Sequence, residues 1–445
     1  MKTKYELNIY SVEEFQKLER HLEKMAANGW MLKSIGQFFV KYEKQEPKNV
    51  HFSVVFFPKT HVLTPEPSED LLMLREFCER TGWKLAGEVG QMQVFYNESA
   101  NPTPIETEAW VQVKNIHETA KKNIVLPFGL LLFISVMQTG MQIMNFRDEP
   151  LEWLSQGTNQ GLMLLWFTLG VGYFLEIIYY FIWYWRAKGS AEREGVLLEA
   201  RSKVVLRLLY VGVAILGIIY TVLSLMKFTS PKYGVVIVLW SFVMVAVPFV
   251  ISRILKFEKV SVRANIIITC VVSLMASFFM MVGIVAFVVN VGVERQQAEP
   301  KIMIELDEIT ELEKEVRVDL SESDSVFLTK IEIFQSEEIE IKKRHTLNCW
   351  IYKIKTPFIY DFCKEKLLGG LEQRYRGSVK LEDYGYERID MPIWQANEVY
   401  CCYEEGEPTE LFALFYDDMM VQILVGWDYT EEEIIKIRDI LVEVE

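Results

Sequence analysis

Hydrophobic and polar positions follow three different rhythms along the chain. From Lys4 to Asn97 the periods are short and mixed. "KYELNIYS" alternates as a strand does. Phe15, Leu18, Leu22, Met25 and Ala26 then recur at helical spacing behind Ser11, with Glu14 three residues on completing a capping box. Gly29 stands where a helix end calls for a left-handed residue, and Trp30 restarts the chain as a strand. "FFVKYE" and "HFSVVFFP" read as paired strands. Ser68 caps a second helix carrying Leu71, Leu74, Phe77 and Cys78, and Gly82-Trp83 repeats the Gly-Trp punctuation 53 residues after the first. "KLAGEV" and "MQVFYN" close the segment. The order β-α-β-β-α-β predicts an α+β ferredoxin-like domain over residues 1–100, with two helices on one face of an antiparallel sheet. In it Gly29, Trp30, Gly82 and Trp83 are structural pairs that end a helix and seat the next strand.

The second rhythm is apolar throughout. A bilayer core about 30 Å thick needs roughly 20 apolar residues in a helix. Residues 124–146, 161–185, 204–226, 235–255 and 266–291 meet that length, predicting an all-α domain of five transmembrane helices over 124–293. Asn101-Pro102-Thr103-Pro104 cannot continue a sheet. Trp110, Val113 and Ile116 then give a helical stripe, so 101–123 reads as linker and juxtamembrane helix. The third rhythm, from 294 to 445, alternates again in "KIMIEL", "SVFLTKIEIF", "EVYCCYEE", "ELFALFYDD" and "MMVQILVGWD". With helices after Pro357 and Thr430, it predicts an α+β domain built on an antiparallel sheet.

Charge then orients the chain. Net charge is −2 over 1–121, +6 over 122–293 and −18 over 294–445. Among short loops, Lys and Arg mark the cytoplasmic side. The second loop carries Arg186, Lys188, Arg193, Arg201 and Lys203, and the fourth carries Arg253, Lys256, Lys259 and Arg263. The first has only Arg147, and the third Lys227 and Lys232. The amino terminus is therefore expected in the cytoplasm and the acidic carboxy-terminal domain outside, in a multi-pass protein of the bacterial cell membrane. Residues 1–30 show no apolar signal-peptide core, so the first span is expected to act as the insertion signal.

Candidate chemistry is sparse. Glu176 is the one acidic residue inside a span, about nine residues and roughly 14 Å from the predicted cytoplasmic end. Gln138, Gln142 and Asn145 share one face near the outer end of the first span. Tyr179, Tyr180, Trp183, Tyr184 and Trp185 read as an interfacial aromatic belt. Cys349, Cys363, Cys401 and Cys402 fall in the exterior domain, where a disulfide involving Cys401 or Cys402 is a candidate that spacing does not pair. Adjacent cysteines in a strand point to opposite faces. No phosphate-binding loop, metal motif or nucleophile elbow occurs, so catalytic residues, metal and cofactor are all read as none. The near-neutral amino-terminal domain lacks a basic patch for direct nucleic-acid binding.

"LEKMAANGWMLKSIGQFFVKYE", "VHFSVVFFP" and "LREFCERTGWKLAGEVGQMQVFYNE" together resemble the DUF2812 family of bacterial membrane proteins of unknown function, over about the first hundred residues. The family's association with transcriptional regulators of the PadR type implies a regulatory setting. The expectation is a non-enzymatic signal-transducing or regulatory membrane protein that couples the exterior acidic domain to a cytoplasmic domain holding a protein partner, such as a regulator. Besides lipid, a −18 exterior domain predicts a cationic ligand. The alternative is a transporter, or a transport accessory, that uses Glu176.

Overall fold

A computed structural model describes residues 2–60, 63–106, 108–228, 246–291, 304–310, 312, 316–337, 345–369 and 384–442. The chain divides into two compact units. The first is Met1–Val136, Phe167–Val213 and Ile237–Phe287; the second is Met137–Trp166, Ala214–Val236 and Val288–Glu445.

In the first unit, β1 (Thr3–Leu7), α1 (Phe15–Ala27), β2 (Trp30–Ile35) and β3 (Phe39–Lys44) are followed by β4 (His51–Phe56), α2 (Glu69–Arg80), β5 (Lys84–Val89) and β6 (Met92–Asn97). The predicted apolar face of α1 is buried at all five positions. Gly29 and Gly82 end the two helices at φ +77° and +85°, the left-handed region that costs glycine least. The strands divide between two three-stranded sheets, β1-β3-β2 and β4-β6-β5, rather than joining the single ferredoxin-like sheet expected. Each half is β-α-β-β with the same strand order. The register shift falls between Leu32 and Ser34 in one half and between Leu85 and Gly87 in the other, again 53 residues apart. The repeat legible as Gly-Trp is thus a duplicated unit. β2 and β5 abut at Gly87, where a Cβ would lie 3.2 Å from Ile35 Cγ2.

The two tryptophans diverge. Trp83 is buried and donates from Nε1 to Thr103 O at 2.8 Å. Trp30 is half-buried, with Lys44 Nζ 5.0 Å from its ring centre.

The juxtamembrane helix α3 (Ala109–Ala120) buries Val113, Ile116 and Ala120 in the core of this domain. It passes through a π-helical turn, Lys121–Val125, into α4 (Leu126–Asp148). Pro127 explains that turn, because its ring lacks an N–H and crowds the carbonyl four residues back. Beyond the short α5 (Pro150–Ser155), α6 (Gly157–Glu194) runs nine residues further than its predicted end at Trp185. Its last turns enter the same core through Tyr180, Trp183, Ala187 and Ala191. The expected aromatic belt therefore splits: Tyr180 and Trp183 are buried in protein, and Tyr179 and Trp185 face outward. α7 is Val204–Phe228 and α9 is Val262–Val291. Among the described residues, four helices are long and apolar enough to cross a membrane, the pattern of a multi-pass membrane protein. Most of the predicted span 235–255 lies outside the described residues; 246–257 is helical (α8).

Among the described residues of the second unit, the antiparallel sheet has seven strands in the order β10-β11-β12-β13-β9-β8-β7. These are β7 (Val316–Asp324), β8 (Leu328–Glu337), β9 (Thr346–Ile354), β10 (Tyr384–Ile389), β11 (Glu398–Glu404), β12 (Glu407–Phe415) and β13 (Met419–Val425). The carboxy-terminal helix α12 (Glu431–Val442) covers one face with Ile434, Ile437 and Leu441, over a core that includes Trp394. The other face holds α11 (Tyr360–Gly369) together with Trp153 and Leu154 of α5. A one-turn helix, α10 (Leu306–Ile309), precedes the sheet.

The candidate disulfide is not formed: Cys349, Cys363, Cys401 and Cys402 are free and buried. Strand order is the reason. β11 and β9 are three strand spacings apart, about 14 Å, twice the reach of a disulfide. Cys401 and Cys349 belong to one face of the sheet and Cys363 to the other.

Candidate functional site

Glu176 is 1% exposed in the middle of α6, and an isolated carboxylate there would be prohibitively desolvated. The chain answers with two cations: Lys203, which the sequence reading counted among loop charges, and Arg207, which falls inside the predicted span 204–226 and was not singled out. Lys203, the residue before α7, places Nζ 2.6 Å from Glu176 Oε2. One turn on, Arg207 donates from Nε to Glu176 Oε1 at 2.5 Å and from Nη2 to Oε2 at 3.1 Å. The spacing Lys203-x-x-x-Arg207 sets both on one helical face. Glu176 is therefore not the lone carboxyl the sequence indicated, but one wall of an ion-pair network.

The opposite wall comes from the amino-terminal domain. Glu13 and Glu14, in the 3-10 turn that leads into α1, are 2% and 1% exposed. Lys203 Nζ lies 2.6 Å from Glu13 Oε1. The Lys203 backbone N–H donates to Glu14 Oε1 at 3.2 Å. Arg207 Nη1 donates to Ile9 O at 2.8 Å and to Glu14 Oε2 at 3.3 Å, and Nη2 donates to the Ser11 hydroxyl. Glu14 also accepts from the Ser11 N–H at 3.1 Å, so the predicted capping residue has a second task. Three carboxylates thus face two cations, leaving one negative charge in excess. Glu13 Oε2 is buried without a hydrogen-bond partner.

A second carboxylate group stands on α1. Glu19 Oε1 accepts the Val54 N–H at 2.7 Å, and Glu23 Oε1 accepts the Phe52 N–H at 3.2 Å. They satisfy donors on the open edge of β4. Burial raises the Glu19 carboxyl to about 7, with the Val54 N–H opposing the shift and the charge of Glu23 adding to it. Above the network, His117 Nδ1 and the Tyr180 hydroxyl are 2.7 Å apart, joining α3 to α6.

The polar residues of α4 do not converge. Gln142 is buried and accepts the Trp153 Nε1 hydrogen at 2.9 Å; Gln138 is half-buried and Asn145 exposed. In the second unit, Lys330 is 7% exposed and pairs with Glu152 of α5 and with Glu332. Among the described residues, no group of three or more His, Cys, Asp and Glu side chains is arranged to hold a metal ion.

Glu14 and Lys203 went unread as site residues because each had a sufficient local explanation, as a capping residue and as a positive loop charge, while Glu13 and Arg207 were not singled out in the sequence. The available signal was Glu176 itself, since a carboxylate within apolar helix requires a cationic neighbour.

No curated protein and no solved structure matches the chain. A family model described as a protein of unknown function, DUF2812, matches residues 14–127, the stretch from the first turn of the domain through α3 to the start of α4.

Proposed function

We propose that this is a non-enzymatic regulatory membrane protein of a bacterial cell membrane. Its amino-terminal domain holds a cytoplasmic protein partner, and its acidic carboxy-terminal domain senses the exterior. The observation that carries the reading is the buried network, which fastens the first turn of the domain to α6 and α7 through Glu13, Glu14, Glu176, Lys203 and Arg207. A shift of α6 against α7 cannot leave those five charges matched, so it must be passed to α1. Both Glu176 oxygens are already engaged, which favours this role over a transport route through that carboxyl.

Five crossings, with the amino terminus inside, fit the Lys and Arg bias of the loops. α5, in the first loop, packs on the carboxy-terminal sheet, as expected if both lie outside.

The experiment is photocrosslinking in cells from Met73 and Phe77, which are 64% and 54% exposed on α2, in the full chain. A discrete protein adduct that disappears in Lys203→Met is expected. No adduct from either position, or one indifferent to Lys203→Met, would overturn the reading.

A further inference from the structure

The carboxy-terminal sheet carries a cavity of about 460 Å³ beside the β11–β12 hairpin, within the range typical of small-ligand sites. Its walls are aromatic: Tyr403 from β11, Phe412 from β12, and Trp427 and Tyr429 from the segment between β13 and α12. Two features of the chain place them there. The register between β11 and β12 shifts at Cys401/Tyr403, a bulge that re-aims the side chain following it. The hairpin itself turns through Glu405 and Gly406 at φ +52° and +85°. Phe412 is 3% exposed and meets Tyr429 edge-on, with ring centres 6.3 Å apart at 74°.

The polar residues of the cavity are one-signed. Glu410 and Asp428 are both exposed, and no Lys or Arg is among the described residues lining it. The Tyr429 phenol is held above its ordinary range by burial, and the neighbouring Cys401 and Glu410 add to the shift, so the Glu410 charge is felt at the aromatic wall. Aromatic faces attract cations through their quadrupole, and more strongly where water is excluded. Carboxylates at the rim add long-range attraction, in a domain whose net charge is −18 over residues 294–445.

We infer that this cavity is a binding site for an organic cation, an ammonium or guanidinium group on an apolar stem, seated among Tyr403, Phe412, Trp427 and Tyr429 and steered by Glu410 and Asp428. This deepens the sensing role proposed above and rests on it for its biological meaning, but not for its chemistry. A free amine and the side chain of a basic peptide present the same group.

Calorimetry on the full chain in detergent tests it with three probes: phenethylammonium, its neutral counterpart 2-phenylethanol, and a Phe-Lys dipeptide blocked at both ends. Saturable binding of a cationic probe is expected, with the alcohol at least about tenfold weaker, and Glu410→Gln/Asp428→Asn is expected to weaken the cation by about tenfold. Both substitutions are at exposed positions, so folding is retained. The tighter of the two cationic probes names the source. Equal binding of cation and alcohol, indifference to the double substitution, or no saturable binding of either cation overturns the site. Binding that leaves the crosslink from Met73 unchanged would instead count against the coupling role and keep the site.

Discussion

The excess negative charge in the network makes its members unequal, and that inequality is measurable. Lys203 Nζ is 2.6 Å from both Glu13 Oε1 and Glu176 Oε2 and is 6% exposed. Lys203→Met leaves three buried carboxylates facing Arg207 alone. Removing one partner of a buried pair costs about 3–5 kcal/mol, because the charge left behind stays desolvated. Glu13→Gln does the opposite. It removes the carboxylate whose second oxygen has no hydrogen-bond partner and leaves two carboxylates against two cations, so it is expected to be neutral within about 1 kcal/mol. The double variant restores one excess charge and should recover about 2 kcal/mol relative to the sum of the singles. Hydrogen exchange on the full protein in detergent, followed over Thr3–Ala27, reads the effect as local opening. Exchange should accelerate by about two to three and a half orders of magnitude in Lys203→Met and by less than about tenfold in Glu13→Gln. Equal acceleration in the two singles, or strict additivity in the double variant, would refute the charge accounting.

Three further outcomes follow from the same geometry. Glu19 has a folded-state value near 7 against an ordinary 4.5, so the folded state binds the extra proton between those values. The stability it contributes is therefore full below about 4.5 and lost as pH rises through 7, by up to about 3 kcal/mol. Exchange at β4 should quicken from pH 5 to pH 8 (after correction for intrinsic rates), and Glu19→Gln should remove the trend while keeping the Val54 hydrogen bond. A Cβ on Gly161 would fall 2.2 Å from Thr221 Oγ1 and 2.9 Å from the Gly217 carbonyl, a close helix approach that only small residues allow; Gly161→Val should lower the thermal midpoint by an amount equivalent to about 1–3 kcal/mol, while Gly189→Ala, with nothing within 4 Å, should not. Alkylation under denaturing conditions without reductant should modify all six cysteines, and a mass short of six adducts would contradict the free thiols.

Legibility followed the range of the interactions. The α1 face, the capping of both amino-terminal helices and the left-handed Gly29 and Gly82 were readable because each depends on neighbours within a turn or two. Strand order was not. The segments from β1 to β6 have similar patterns, and nothing local tells β1 to pair with β3 inside its own half instead of extending one common sheet. The cysteines show the same division. That Cys401 and Cys402 point to opposite faces follows from the strand period, while the distance from Cys401 to Cys349 depends on two intervening strands that no spacing rule supplies. The candidate site was half-legible. Glu176 was singled out for its cost, but its partners lie 27 residues or more away along the chain and looked ordinary where they stood.

The duplication supplies an internal comparison for the network. At the 53-residue offset that relates the two Gly-Trp pairs, Glu13 corresponds to Glu66, and Glu66 also meets a lysine just before an apolar helix: Lys259 Nζ lies 2.5 Å from its Oε1, three residues ahead of α9. At these matching positions each half of the domain therefore offers a carboxylate to a lysine, but the environments differ. The Lys203 and Glu13 side chains are 6% and 2% exposed, those of Lys259 and Glu66 are 70% and 64%. Salt screens exposed charges over about 8 Å at physiological strength and about 3 Å at 1 M, and hardly reaches buried ones. The first half should thus behave as a fixed joint and the second as a contact that opens and closes. Raising salt to about 1 M is expected to speed exchange around Lys256–Val262 in the native chain and not in Glu66→Gln, where the contact is already lost, while Thr3–Ala27 stays protected throughout. Equal loosening of both regions would mean that the two halves grip their loops alike, and that burial does not set the Glu13 contact apart.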